Sequence, residues 1–411
     1  LAALGIADLG DFDYREYLRN EHGIASQEEY LKAFRDLPTT PLFIDAQRAG
    51  LRDFYAALRT HLDATSPDRY IPVSVNNQFY RAARDGGLRG VYCLDRLDFF
   101  EGEAMRGMQS APQYVMACKT AEALGVPQVM MSKPHVLGHS EAALATSYAL
   151  GAPFRVPWDL YMDNGPDGQP APRYFGELET WRPYYDFIEA RSDLLDGHAP
   201  VAEVALVFNA DEPCHEALNE ACGQLLSRGV QFTLIGAASR FSRVALSSER
   251  IESARHAILL SPEESFAPED RAALADARAS RRVRVIDGSN GLSQAVEQLA
   301  PSVVRIEGPE SVHAFLTVES GDDASAVVHV VNWNAFPSTD VPADATRSEA
   351  YADVTISLRD PGRWGDPETV TYHQPDGEST ILTPEHHPNA LRVTLPRLAT
   401  WGILEIRPTK E

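Results

Sequence analysis

The chain has 411 residues and a formal net charge of −22 at pH 7, with 44% apolar and 23% charged residues. That is the composition of a globular protein of more than one domain. The acidic balance excludes nucleic acid and anionic membranes as natural partners, since their phosphates need a basic surface. No apolar run approaches the ~20 residues of a membrane span.

Residue 1 is Leu rather than Met. The chain is expected to lack its natural N-terminus and any targeting segment with it, so cytoplasmic, periplasmic and secreted locations all stay open. Phe12 to Leu18 reads as a helix, and Ser26 is the expected N-cap of another. Leu42 to Leu62 follows as a longer helix with apolar residues near helical spacing. Four short apolar runs then look like strands: Tyr70–Val75, Gly90–Leu94, Gln128–Met131 and Phe154–Trp158. Helices at Pro112 to Leu124 and Ser140 to Leu150 separate the last three, the first closed by Gly125 and the second by Gly151. Strand–helix alternation of this kind predicts parallel strands. Leu178 to Leu195 is the next helix, and Asp196-Gly197-His198 is the expected boundary.

From Val201 the pattern alternates again. Strands are expected at Val204–Phe208, Val230–Ile235, His256–Leu260 and Val283–Ile286. Helices are expected at Glu216 to Arg228, Ser248 to Arg255, Pro268 to Ala279 and Leu292 to Leu299. Beyond Val303 helical periodicity gives way to antiparallel strands, among them Val327–Asn332, Ala352–Ser357, Glu368–Tyr372, Leu391–Leu395 and Trp401–Ile406. The expectation is an α/β multidomain chain. Residues 1–198 form the C-terminal half of a (β/α)8 barrel, residues 199–305 a flavodoxin-like α/β domain, and residues 306–411 an antiparallel β-sandwich.

The four cysteines suggest no disulfide framework. Cys93 and Cys118 fall in predicted buried elements, and Cys214 and Cys222 sit about 12 Å apart along one helix. The turn after Val204–Phe208 is Asn209-Ala210-Asp211-Glu212-Pro213, with no glycine-rich phosphate loop. No cofactor is expected, and the middle domain reads as structural or as a surface for homo-oligomer formation.

Several stretches carry a resemblance. Phe12-Asp13-Tyr14-Arg15-Glu16-Tyr17-Leu18, Glu29-Tyr30-Leu31 and Phe43-Ile44-Asp45-Ala46-Gln47-Arg48 look like the connection after the fourth barrel strand of glycoside hydrolases built like family 42 β-galactosidases. Arg173-Tyr174-Phe175-Gly176, Asp186-Phe187-Ile188 and Leu194-Leu195-Asp196 are similar to the segment leaving the eighth strand. Leu398 to Leu404 resembles the closing strand of the terminal sandwich. The resemblance implies that barrel strands five to eight are present, strands one to four absent, and the substrate a carbohydrate. It also implies an acid/base Glu on the absent strand four and a nucleophile Glu ending strand seven. Here strand seven reads Gln128-Val129-Met130-Met131-Ser132-Lys133, with no carboxylate.

Glycoside hydrolysis usually needs two carboxylates, one protonated and one ionised. Asp95 follows the apolar run Val91–Leu94, and apolar neighbours such as Leu97 and Phe99 would raise its pKa toward that of a general acid. Asp98 and Glu101 are the alternatives. Lys133 and His135 follow the third of these strands as substrate-binding candidates. Trp158 offers a face for a sugar ring and Asp159 an acceptor for its hydroxyls. Asn76 and Asn77 offer paired amides. His135 and His139 have i, i+4 spacing beside Glu141, but Pro134 and Gly138 argue against a continuous helix, so no metal site is expected. The reading is a glycoside hydrolase acting on an oligo- or polysaccharide, inactive as this piece alone. A non-catalytic carbohydrate-binding homologue is the alternative.

Overall fold

The computed structural model describes residue 26 and residues 41–77, 97–104, 110–132, 136–156, 162–164, 170–172, 178–210, 214–237, 245–289, 291–300, 302–319, 325–335, 346–359, 367 and 369–407. The expected helix at Phe12 to Leu18, the strand at Gly90–Leu94 and the residues Cys93, Asp95, Lys133, His135, Trp158 and Asp159 lie outside these. No helix among the described residues is long and apolar enough to cross a membrane.

Behind the helix Pro41–Thr65 stands a parallel sheet of Ser74–Asn77, Phe99–Ala104 and Gln128–Ser132, in that spatial order. A parallel bridge from Met130 to Phe154 extends it by one chain segment. Two differences from the sequence reading matter. The first strand begins at Ser74 rather than Tyr70, because Pro72 has no N–H for a ladder. The second paired strand is Phe99–Ala104, and it is bonded on both edges. The strand expected at 90–94 falls among residues the structure does not describe.

The helices Ala111–Ala123 and Leu137–Ala149 connect and cover these strands. Both are buried on nearly every side, so neither shows a polar stripe in its sequence. Their ends follow one rule. Gly125 and Gly151 take positive φ, and the next N–H reaches back to close the last turn, Val126 to Ala121 and Ala152 to Ser147. The helix His215–Ser227 ends likewise at Gly229, with Val230 bonding to Leu225.

The middle of the chain forms four parallel strands, Val204–Asn209, Phe232–Ala237, His256–Leu259 and Arg284–Asp287, in the order second, first, third, fourth. The run Val204 to Phe208 is wholly buried, as a parallel strand covered on both faces must be. One face meets Ala111–Ala123 and His215–Ser227; the other packs under Pro268–Ser280.

The last part is two antiparallel sheets. One holds Val304–Glu307, Val354–Arg359, Ala390–Leu395 and Glu385–His387; the other holds Thr380–Leu382, Val370–His373, Trp401–Ile406, Ala326–Asn332, Val312–Glu319 and His198–Pro200. The strand Val312–Glu319 was not among those expected, and His386 and His387 pair with Leu391 and Ala390. His198–Pro200, expected at a boundary, is an edge strand of the six-stranded sheet, paired with Thr317 to Glu319.

Both faces of that sheet are buried. Val328, Val330, Leu404 and Ile406 face the opposing sheet, while Val327, Val331, Trp401 and Ile403 pack on the helices of the first part. Trp401 lies among Tyr148, Phe187 and His329. The apolar core is therefore continuous from the N-terminal parallel sheet to the sandwich.

Candidate functional site

The strands of the first parallel sheet point one way, so their C-terminal ends form one edge. One face of the sheet carries Phe100 and Met130, both fully buried against the helices. Gln128 shares that face, its amide oriented to donate to the Ala117 and Cys118 carbonyls at 3.2 and 3.3 Å. The two-residue strand period places Glu101 and Val129 on the opposite face. There Arg155 reaches Glu101 at 2.6 Å, with both side chains partly exposed. The register sets Asn76 beside Glu101, and Glu103 beside Met131 one step nearer the edge.

Asn76 and Asn77 end their strand, as expected. Lys133 follows directly on the strand that ends at Ser132, and Trp158 stands four residues past the bridge at Phe154. Glu101 is on the described strand and engaged by Arg155. Of the other two expected carboxylates, Asp95 lies outside the described residues. The described strand Phe99–Ala104 begins four residues after Asp95 in the sequence. Asp98 sits at the N-terminal edge, where it accepts from the Val73 N–H at 2.7 Å, from Arg59 at 3.3 Å and from the Tyr70 hydroxyl. Its own N–H bonds to the Val73 carbonyl at 2.9 Å. Asp98 thus ties the helix Pro41–Thr65 to two strand starts, a structural clamp at the end away from the expected chemistry.

Sequence reasoning passed over Glu103. The signal was available in Phe99-Phe100-Glu101-Gly102-Glu103, where acidic residues recur at the strand period. The pattern was obscured by the more conventional run Val91–Leu94. Gly102 is required by packing: a Cβ there would fall 2.7 Å from the Met130 sulfur and closer still to the Gln128 amide.

A second group of polar residues joins the first part to the sandwich. Glu141, in the helix Leu137–Ala149, is fully buried and paired with Arg347. Burial pushes its carboxyl up to about 7, with Arg347 and Tyr184 offsetting only part of the effect. His373 bonds Ser379 through Nδ1 at 2.7 Å and Glu405 through Nε2 at 3.1 Å, and Arg191 donates to both His373 and Ser379. The His373 hydrogen bond holds Glu405 below the usual carboxylate range, with Arg407 adding to the effect. Cys118, Cys214 and Cys222 are buried free thiols; burial pushes Cys118 and Cys222 up to about 12. Such thiols are inert.

In sequence the chain is similar to an agarase, and in fold to a fucosidase. It is 26% identical over 447 aligned residues to an α-agarase of Thalassotalea agarivorans, an alignment that covers 99% of this chain and 28% of the agarase. The chain thus spans little more than a quarter of that relative's length. Among solved structures, α-L-fucosidase isoenzyme 2 from Paenibacillus thiaminolyticus superposes with a TM-score of 0.60 at 12% identity, covering 94% of this chain and 76% of the fucosidase. A rhamnosidase from a Novosphingobium species covers 77% of this chain and 35% of its own, with a TM-score of 0.44 at 12% identity. No family model matches the chain.

Proposed function

We propose that this chain belongs to an enzyme hydrolysing O-glycosidic bonds of an oligo- or polysaccharide. In this reading the first parallel sheet is the second half of a (β/α)8 barrel, and its C-terminal edge lines the substrate cleft. The middle sheet is a flavodoxin-like domain, as its strand order supports. Glu103 supplies one reacting carboxylate. Glu101, oriented by Arg155, accepts from sugar hydroxyls together with Asn76 and Asn77, and Trp158 stacks on a ring. The agarase and fucosidase make galactan- and fucose-containing glycans the first substrates to try.

The observation that carries the proposal is positional. The central parallel strand carries Glu101 and Glu103 at backbone positions near the edge where such folds gather reactive groups. One observation favours the non-catalytic alternative: Gln128–Ser132, the neighbouring strand, contributes no carboxylate. The two separate by measurement. Release of reducing ends from agarose or fucosylated oligosaccharides by the intact gene product supports hydrolysis. Saturable binding of the same glycans without release supports a binder.

A further inference from the structure

A cavity lies away from the strand edge described above. It encloses about 800 Å³ where the N-terminus of the helix Ala111–Ala123 and the C-terminus of His215–Ser227 meet the sandwich. The chain carries a net charge of −22, yet three arginines line this cavity, Arg228, Arg305 and Arg359, against one carboxylate, Glu310. Ser110 is the N-cap of the helix end there and makes no side-chain cap hydrogen bond. A helix start carries the positive end of the helix dipole, though Pro112 in its first turn has no N–H to offer.

A second observation is independent of that charge. His139 and His313 both line the cavity and are 7% and 8% exposed. The Nδ1 of each is shut off from solvent without a hydrogen-bond partner. An orphaned lone pair is cheaper to bury than an orphaned N–H, so the proton belongs on Nε2, the side of each ring left to face the cavity. Burial lowers both imidazoles, His313 to about 4, so near neutrality they are uncharged donors. Trp333 closes the wall between them and lies 6.1 Å from the His139 ring, its own N–H already given to Thr146 at 3.1 Å.

From these features we infer that the cavity is a second saccharide site, taking a sugar that carries an oxyanion, either a carboxylate or a sulfate ester. The arginines and the positive end of the helix suit the oxyanion. The imidazole N–H groups suit ring hydroxyls. The volume far exceeds what an inorganic anion needs and falls in the range of pockets for small organic ligands. The choice of a sugar rests on the proposed function; the choice of an anion does not.

The test is calorimetric titration at low salt, with four probes: a hexuronate-containing disaccharide, a sulfated disaccharide, a neutral disaccharide and sodium sulfate. Binding of either acidic sugar, at least about tenfold tighter than the neutral sugar and sulfate, is expected. Which acidic sugar binds identifies the oxyanion. Arg305→Ala, a change at an exposed position, and His313→Gln should each weaken that binding about tenfold, while Glu103→Gln leaves it within about twofold. The inference is overturned if neither acidic sugar binds, if the neutral sugar or bare sulfate binds as well, or if Arg305→Ala binds as the wild type does. No turnover is read, so failure of the hydrolase reading would appear separately, as absence of cleavage with this binding intact.

Discussion

Replacing Glu141 by Gln should stabilise the protein above neutral pH although it removes an ion pair. Glu141 is fully buried, whereas its partner Arg347 is 52% exposed, so Arg347 can be solvated once the carboxylate is gone. Folding raises the Glu141 carboxyl from 4.5 to about 7. A raised acid favours the fold while protonated: its contribution is complete below the unfolded value and is lost as pH rises through the folded one. At about 1.4 kcal/mol per pH unit the whole effect is roughly 3 kcal/mol. About 2.5 kcal/mol of it falls between pH 5 and pH 8. Gln mimics the protonated acid and does not titrate. The variant's advantage over the wild type should therefore be below about 1 kcal/mol at pH 5 and widen to roughly 3 kcal/mol at pH 8. Urea unfolding followed by tryptophan fluorescence reads this directly, since Trp181, Trp333 and Trp401 are buried. Groups that titrate in both proteins cancel in the difference. A gap that does not change with pH, or a variant less stable at pH 8, would refute the reasoning.

Three further substitutions probe the packing. Gly402→Ala would set a Cβ 2.5 Å from the Tyr372 ring, and should cost about 1–3 kcal/mol in chemical unfolding as that buried ring is displaced. Asp98→Ala removes the clamp on Val73, Tyr70 and Arg59; a loss of about 2–3 kcal/mol is expected. Turnover measured at a temperature where the variant is folded should stay at the wild-type level, and a large fall in kcat would return Asp98 to the reaction. Gly229→Ala meets a left-handed φ of 68° and the Val304 carbonyl 2.7 Å away. Its thermal midpoint should fall, by more than that of Gly151→Ala, where φ is also positive but nothing lies within 4 Å.

How far the sequence could be read follows from what each element is packed against. The strands Val204–Asn209 and His256–Leu259 and the helix Pro268–Ser280 were legible almost to the residue. Their apolar patterns are complete within themselves. The helices Ala111–Ala123 and Leu137–Ala149 were legible through their terminal glycines rather than their periodicity. The division at residue 198 was not legible as a strand, because His198-Ala199-Pro200 has no strand pattern. It pairs only because Thr317 to Glu319 offers an edge. In the site the misplaced element was Phe99–Ala104. A Glu-Gly-Glu sequence has weak strand preference by itself, and tertiary pairing on both edges overrides it. Under the proposed function the leading carboxylate is Glu103 on that strand, in place of the expected Asp95. Asn76 and Asn77 end their strand as expected, while Glu101 lies within the strand Phe99–Ala104.

The most direct test of the central claim is the rate of glycan hydrolysis by the intact gene product, compared with its Glu103→Gln and Asp95→Asn variants. Glu103→Gln should lower kcat by roughly a thousandfold with KM little changed, as loss of a reacting carboxylate does, while Asp95→Asn stays near the wild-type rate. Near-wild-type kcat in Glu103→Gln together with a collapse in Asp95→Asn would contradict the account and move the chemistry away from the strand Phe99–Ala104.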